Sequence, residues 1–401
     1  MDNILLRLVC LLFASLALAP RAANAATPAC AELAAQRSAL AIAEPHAALW
    51  RAVLANAMLD VDLAPATTAA IIDLKRELVA LVDAEVGCLG ADARPDATLL
   101  DRTLAEALTA ASAASAMTNV AGDEEAPALR FASRREHDGA LLSVVAQIGI
   151  PCGSDAVWLL YAPHEGGWRR VLQWTSAPYT RIDGAWEAFQ HAVSPRDADG
   201  RWFAAVSHIR PWCSSSWSTI DYTVLRPGAD AHRPLVVLSV SDSLWWGGDD
   251  MGRLSVDAGH AELRFRGASV DSDVHNREFI RRYDVSGTPP LRVAPVADSP
   301  RDFVDEWIVS SWLAARFWSY QASATALERA HAQMQAVRKD ASFGFGDTTA
   351  CAGGDAVQVE LRDGDDASWF FRVAGRSDYR MVAVARQGDP QCGKALPATR
   401  E

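Results

Sequence analysis

Lysine is almost missing from this chain of 401 residues: Lys75, Lys339 and Lys394 are the whole set, and arginine carries the positive charge. Acidic residues outnumber basic ones, 50 to 38, for a formal charge of −12. The arginines occur as short pairs such as Arg134-Arg135, Arg169-Arg170 and Arg281-Arg282, never as a patch. An acidic surface without a basic patch repels a phosphate backbone, which excludes nucleic acid as a partner. No Cys-x-x-Cys pair is present, which argues against a zinc-thiolate site. A G-x-S-x-G elbow, a His-Glu-x-x-His helix and a glycine-rich cofactor loop are absent too. No stretch therefore names a reaction.

What is present starts with an export signal. Arg7 precedes an apolar run over residues 8–19, and Ala23-Asn24-Ala25 is a small-x-small cleavage site. The run is too short for a comfortable membrane span, and Pro20 and Arg21 end it. Residues 1–25 read as a signal peptide, so no integral membrane span is expected after cleavage. Its removal takes Asp2, Arg7 and Arg21 with it. The expected location is periplasmic or secreted. Half of the residues are hydrophobic and 22% are charged, a balance that buries a core rather than staying disordered. Export predicts oxidised cysteines. Those of the mature chain fall two by two along the sequence, favouring Cys30–Cys88, Cys152–Cys213 and Cys351–Cys392.

Taken in order, residues 26–118 read as a helical domain. Ile71, Leu74, Leu78, Leu81, Val82 and Val86 recur at helical spacing, and a further helix is expected over 98–117. The polar stretch 119–128 reads as a linker. Residues 129–298 change to closely spaced strands, with candidates at 141–150, 156–161, 168–174, 202–210, 217–226, 235–240, 261–266 and 279–285. In the strand from Trp217, Ile220, Tyr222 and Val224 share one face. A small helix is allowed around 185–192. Close spacing without intervening helices favours an antiparallel β sandwich or barrel. Residues 299–340 are helical again, with Ser299 as N-cap, Pro300 in the first turn and Leu327, Ala330, Met334 and Val337 at helical spacing in a second stretch. Residues 341–401 read as a small C-terminal β unit. The class expected is α+β: an N-terminal helical unit, a central antiparallel β sandwich or barrel, and a C-terminal helix plus small β unit.

His275-Asn276-Arg277 and the run SPRDFVDEW over residues 299–307 resemble segments of uncharacterised exported bacterial proteins. The resemblance implies no activity.

Three constellations invite chemistry. Ser214, Ser215 and Ser216 lie near His208 and Asp221 in sequence, but no catalytic signature surrounds them, and a serine-rich turn between strands explains them better than a triad does. Asp271, Asp273 and His275 alternate, so on a strand all three face one way as metal ligands; a polar turn is the competing reading. Trp212, Trp217, Trp245 and Trp246 lie in a tryptophan-rich stretch, and an exposed one would stack on a sugar or an apolar partner surface; core packing competes. No cofactor is predicted, a divalent metal being the one allowance. These features point to an exported, disulfide-bonded, non-catalytic binding or interaction protein. Its partner would be a protein, a glycan or a cell-envelope component. The competing class is a hydrolase, metal-assisted or not, acting on cell-wall or extracellular polymer.

Overall fold

The computed structural model describes residues 37–39, 41–42, 45–46, 61–90, 96–114, 129–150, 153–178, 181–182, 189–209, 217–245, 252–272, 274, 276–339, 341–364 and 367–395. The proposed signal peptide and linker lie outside them. A short strand β1 (Val61–Asp62) leads into helix α1 (Pro65–Gly87), and α2 (Ala97–Ala114) follows. In α1 the stripe from Ile71 to Val86 is buried, as its spacing predicts. Asp96 caps α2, its carboxylate accepting from the Thr98 N–H at 3.0 Å.

Successive strands then pair with their neighbours in sequence. Sheet I is β2 (Leu129–Glu136), β3 (Leu141–Ile150), β4 (Gly153–His164) and β5 (Gly167–Thr175). The short strand β6 (Arg181–Ile182) pairs with β1. Sheet II is β7 (Phe189–Val193), β8 (Ala204–Ile209), β9 (Trp217–Asp230) and β10 (Arg233–Trp245). Sheet III is β11 (Arg253–Val256), β12 (His260–Ala268), β13 (Asn276–Asp284) and β14 (Leu291–Arg292). The α+β class holds, but the strands form separate antiparallel sheets rather than one closed barrel. Of residues 185–192, where the sequence allows a small helix, 189–192 lie in strand β7, whose edge location leaves little apolar alternation to read, and 185–188 lie outside the described residues.

Alternation stacks these sheets in layers. Leu142, Val144, Val157, Leu159 and Tyr161 turn one face of sheet I towards α1 and α2. Val145, Ala156, Trp158 and Leu160 turn the other towards Ala204, Val206 and Leu225 of sheet II. Ile220, Tyr222 and Val224 then meet Leu263, Phe265 and Phe279 of sheet III. The approach there is close: a Cβ on Gly267 would sit 2.8 Å from the Ser243 carbonyl and from the Phe279 ring.

Helix α3 (Pro300–Val309) packs between sheet III and the C-terminal unit. Ser299 caps it, accepting from the Asp302 N–H at 3.1 Å and donating to the Asp302 carboxylate at 2.7 Å. The short α4 (Trp312–Ala315) and then α5 (Ala324–Val337) follow. Sheet IV comprises β15 (Phe343–Cys351), β16 (Ala356–Asp363), β17 (Ser368–Ala374), β18 (Arg380–Ala385) and β19 (Cys392–Ala395). Cys351 and Cys392 face each other across β15 and β19 and are disulfide-bonded. Cys88 is half-buried at the end of α1; Cys30, Cys152 and Cys213 lie outside the described residues. No described helix is long and apolar enough to cross a membrane.

The junction between sheets II, III and α3 is ionic and dry. Glu306 of α3 is 1% exposed. Its carboxylate accepts from Arg277 at 2.8 Å, Arg281 at 3.1 Å and Arg292 at 2.7 Å. Neighbouring Asp305 lies 3.0 Å from the Arg277 guanidinium. Arg281 also grips Asp242 of β10 with two donors, at 2.8 and 2.9 Å. Burial alone would raise the Glu306 pKa; Arg292, Arg281 and Arg277 outweigh it and hold it well below the usual range. Glu306→Ala leaves those buried guanidinium groups short of counter-charge and is expected to cost about 3–5 kcal/mol. Urea unfolding at pH 7 measures it, and a loss below about 1 kcal/mol would contradict the cage's importance.

Candidate functional site

Among the described residues, a concavity lies where α1, the end of β5 and the open face of sheet II meet. Two chambers adjoin there, of about 530 Å³ and 580 Å³, sharing Gln173, Thr175, Ala177 and His232 on their common rim. The helix-side chamber is mainly apolar, with Ile71, Ile72, Val79 and Pro178 in its wall. The sheet-side chamber is mixed and the more polar of the two, with His208, Asp221, Thr223, Ser239 and Ser241 from sheet II, together with Val206 and Leu225, facing Trp174.

A buried ion pair fixes the helix-side wall. Lys75 sits within the apolar stripe of α1 and is 4% exposed. Its ammonium pairs with Asp155 of β4 and donates to Ser176 Oγ at 2.5 Å. Ser176 Oγ donates to Asp155 Oδ1 at 2.6 Å, and the Ala156 N–H reaches the same oxygen at 2.7 Å. His208 Nε2 stands 4.0 Å away from that oxygen. Burial pushes the Asp155 carboxyl upwards, but Lys75 and His208 outweigh it, so its pKa falls below the ordinary value. A second pair anchors the other end of α1. Asp83 accepts from Arg170 and from the Tyr161 hydroxyl, both at 2.7 Å.

The sheet-side row follows from register. His208 and Asp221 are opposite each other on β8 and β9, and Asp221 is opposite Ser241 on β10. Ser241 Oγ donates to the Asp221 carboxylate. Trp174 is supported from behind by Phe189, stacked at 5.0 Å, and edge-on by His208 at 5.4 Å. Phe189 in turn stacks on His191 at 5.2 Å, and His191 lies 4.7 Å from Trp158.

Of the four tryptophans singled out in the sequence, Trp217 and Trp245 are direct cross-strand partners and half-buried, away from the cleft. Trp212 and Trp246 lie outside the described residues, as do Asp273, His275 and Ser214 to Ser216. Asp271 is 4% exposed and bridges to Phe343, its carboxylate accepting from the Phe345 N–H at 3.0 Å. Among the described residues no group of three or more His, Cys, Asp or Glu side chains is placed to hold a metal ion. The sequence reading noticed His208 and Asp221 but missed Lys75, Asp155, Trp174, Ser176 and Ser241. Lys75 was the one visible signal: a rare lysine within an apolar helical stripe.

Burial lowers the pKa of His191 from 6.5 to about 3, with the charge of Arg134 adding to the effect. Because the folded value is depressed, this contribution to stability is intact above about pH 6.5 and declines as the pH falls from there towards about 3. Between pH 7 and pH 5 the expected loss from this residue is about 2 kcal/mol. His191→Gln, compared with the parent by urea unfolding at both pH values, should remove that difference; equal slopes in the two proteins would contradict it. No family model, curated protein or solved structure matches this chain.

Proposed function

We propose that the chain is a non-catalytic binding protein exported to an oxidising compartment, periplasmic or extracellular, and that the two-chambered cleft is its ligand site. The N-terminal helices, the stacked sheets and the C-terminal helix with its small β unit act in this reading as one scaffold. Export draws support from the signal-like N-terminus and from the Cys351–Cys392 disulfide.

One observation carries the preference for binding over hydrolysis. Of the three serines lining the cleft, Ser176, Ser239 and Ser241, two donate to carboxylates, Ser176 to Asp155 and Ser241 to Asp221, and none bonds to a histidine among the described residues. A serine nucleophile needs its proton directed at a competent base. Asp155, with its pKa lowered by Lys75 and His208 against the effect of burial, is a weak one. A row of fixed hydroxyls and carboxylates facing an aromatic ring suits recognition of a polar ligand, the polar groups setting orientation and the apolar wall supplying buried area.

Ala177 is exposed on the rim shared by both chambers, so Ala177→Trp fills the cleft without disturbing the core. A thermal-shift screen of the mature protein with oligosaccharides and short peptides should give ligands that stabilise the parent, lose at least tenfold in affinity with Ala177→Trp, and are recovered chemically intact. Ligand cleavage that disappears in Ser176→Ala would replace this reading with the hydrolase.

A further inference from the structure

The strand between the two chambers has an unused edge. β5 is the outer strand of sheet I, paired with β4 alone within the sheet. The Gln173 N–H points away from β4, donating to the Ala231 carbonyl of the β9–β10 hairpin at 3.0 Å. In an antiparallel ladder, outward-pointing groups recur at every second residue. The register keeps Leu159, Trp158 and Val157 opposite Gln173, Trp174 and Thr175 without a shift. The N–H and C=O of Thr175 therefore point outwards as well. The hairpin has ended its cover by then, and Thr175 makes no main-chain bond across that edge among the described residues. β5 ends at Thr175, and Ala177 and Pro178, just past its end, are exposed.

A strand laid along this edge would alternate its side chains between the two faces of sheet I. One face is the helix-side chamber, with Ile71, Ile72 and Val79; the other is the sheet-side chamber, with Asp221, Ser239 and Ser241. The apolar chamber accepts an aliphatic side chain. The sheet-side chamber has a single carboxylate among the described residues, Asp221, beside His208 and His232; in a protein of net charge −12 that carboxylate is the group a cationic side chain would meet.

Resting on the cleft being a binding site, we propose that its ligand is an extended peptide segment of a partner protein. It adds to β5 beyond Gln173, with an aliphatic residue towards α1 and an adjacent basic residue towards Asp221. Main-chain bonds to Thr175 supply affinity and the two chambers supply sequence preference.

The test uses the full mature protein and a fluorescein-labelled pentapeptide of alternating valine and arginine, followed by fluorescence anisotropy. Saturable binding is expected, weakened at least tenfold when alternate amides of the probe are N-methylated. A weakening of at least fivefold is expected with Asp221→Asn, and likewise when the probe's arginines become glutamates. Thr175→Pro, which removes the outward N–H at a position where an edge strand tolerates proline, together with the hydroxyl that accepts from Gln173 at 3.2 Å, should match the N-methylated probe. If that variant does not fold, the N-methylated probe gives the same readout on the parent protein. Binding indifferent to N-methylation, or no binding, overturns the inference. So does self-association that vanishes with Thr175→Pro, because the edge would then be serving a second copy. A saccharide that stabilises the parent but not Ala177→Trp would in those cases leave the binding reading standing. Failure of every saccharide and peptide to distinguish the two proteins would remove that reading too.

Discussion

Glu306 sets the relation between the two halves of the molecule. Taking a carboxylate out of water costs several kcal/mol unless charge of the opposite sign arrives with good geometry. Here three guanidinium groups arrive from sheet III, and one of them, Arg281, carries the interaction on to Asp242 in sheet II. Apolar packing between flat layers tolerates sliding, because one aliphatic contact resembles the next. A bidentate arginine pair does not, because its two donors match a carboxylate in few positions. The cage thus fixes how β13, β10 and α3 lie against one another, whatever its net effect on stability. Through α3 it also places sheet IV, which packs on that helix with Val359, Leu361 and Phe371.

The same logic operates at the cleft. The apolar stripe of α1 would bury a similar area after a small rotation or shift along its axis. Lys75 removes that freedom, because its ammonium must reach Asp155 and Ser176 together. Asp83 does so again two turns later through Arg170 and Tyr161. The helix-side wall is therefore positioned by charges that would be costly to leave alone in the interior. Lys75 is more economically explained as this anchor than as a catalytic base. An amine already paired with an ionised carboxylate does not accept a proton from the serine beside it.

The buried faces of individual elements were largely legible; their division into layers and the site were not. Alternation in Ile220, Tyr222 and Val224 and helical spacing in Ile71 to Val86 are local signals, and both segments bury the faces so marked. Ser299 and Pro300 announced the start of α3, and Ser299 caps it as expected. Edge strands were harder. β2 carries Arg130, Arg134 and Arg135 on exposed positions, a pattern that resembles a polar loop. The first half of β15 is interrupted by Gly344 and Gly346. Separate sheets were unreadable for a different reason: strand spacing reports which neighbours can pair, not where the ladder stops and the chain begins a new layer. Lys75, Asp155, Ser176 and Asp221 come from four strands, helices and turns that meet only after layering. Asp271 was singled out for its local pattern, yet its main chain bridges to Phe343 of a distant strand and its carboxylate accepts from the Phe345 N–H there.

An architecture of open antiparallel sheets must dispose of every edge, since an unpaired ladder is a template for another chain. The edges here are treated in recognisable ways. β2 carries charges and lies against α2. β7 is covered where Gln190 bonds to the Gly252 carbonyl at 2.6 Å and the Leu254 N–H at 2.8 Å. β18 is bridged by Ser319 at Met381. β10 is broken by two register shifts, after Arg233 and after Val236, and bulges of this kind turn a strand away from flat pairing. Among the described residues, β5's one main-chain bond to the β9–β10 hairpin is at Gln173, with His232 of that hairpin also bonded to the side chains of Arg170 and Gln173. Beyond Gln173 the edge does not face open solvent, where aggregation would be the consequence. It faces a recess with a wall on each side, built by buried ion pairs and by a cross-strand polar row. That enclosure restricts which chain can approach, and it converts an edge that would otherwise be a hazard into a selective one.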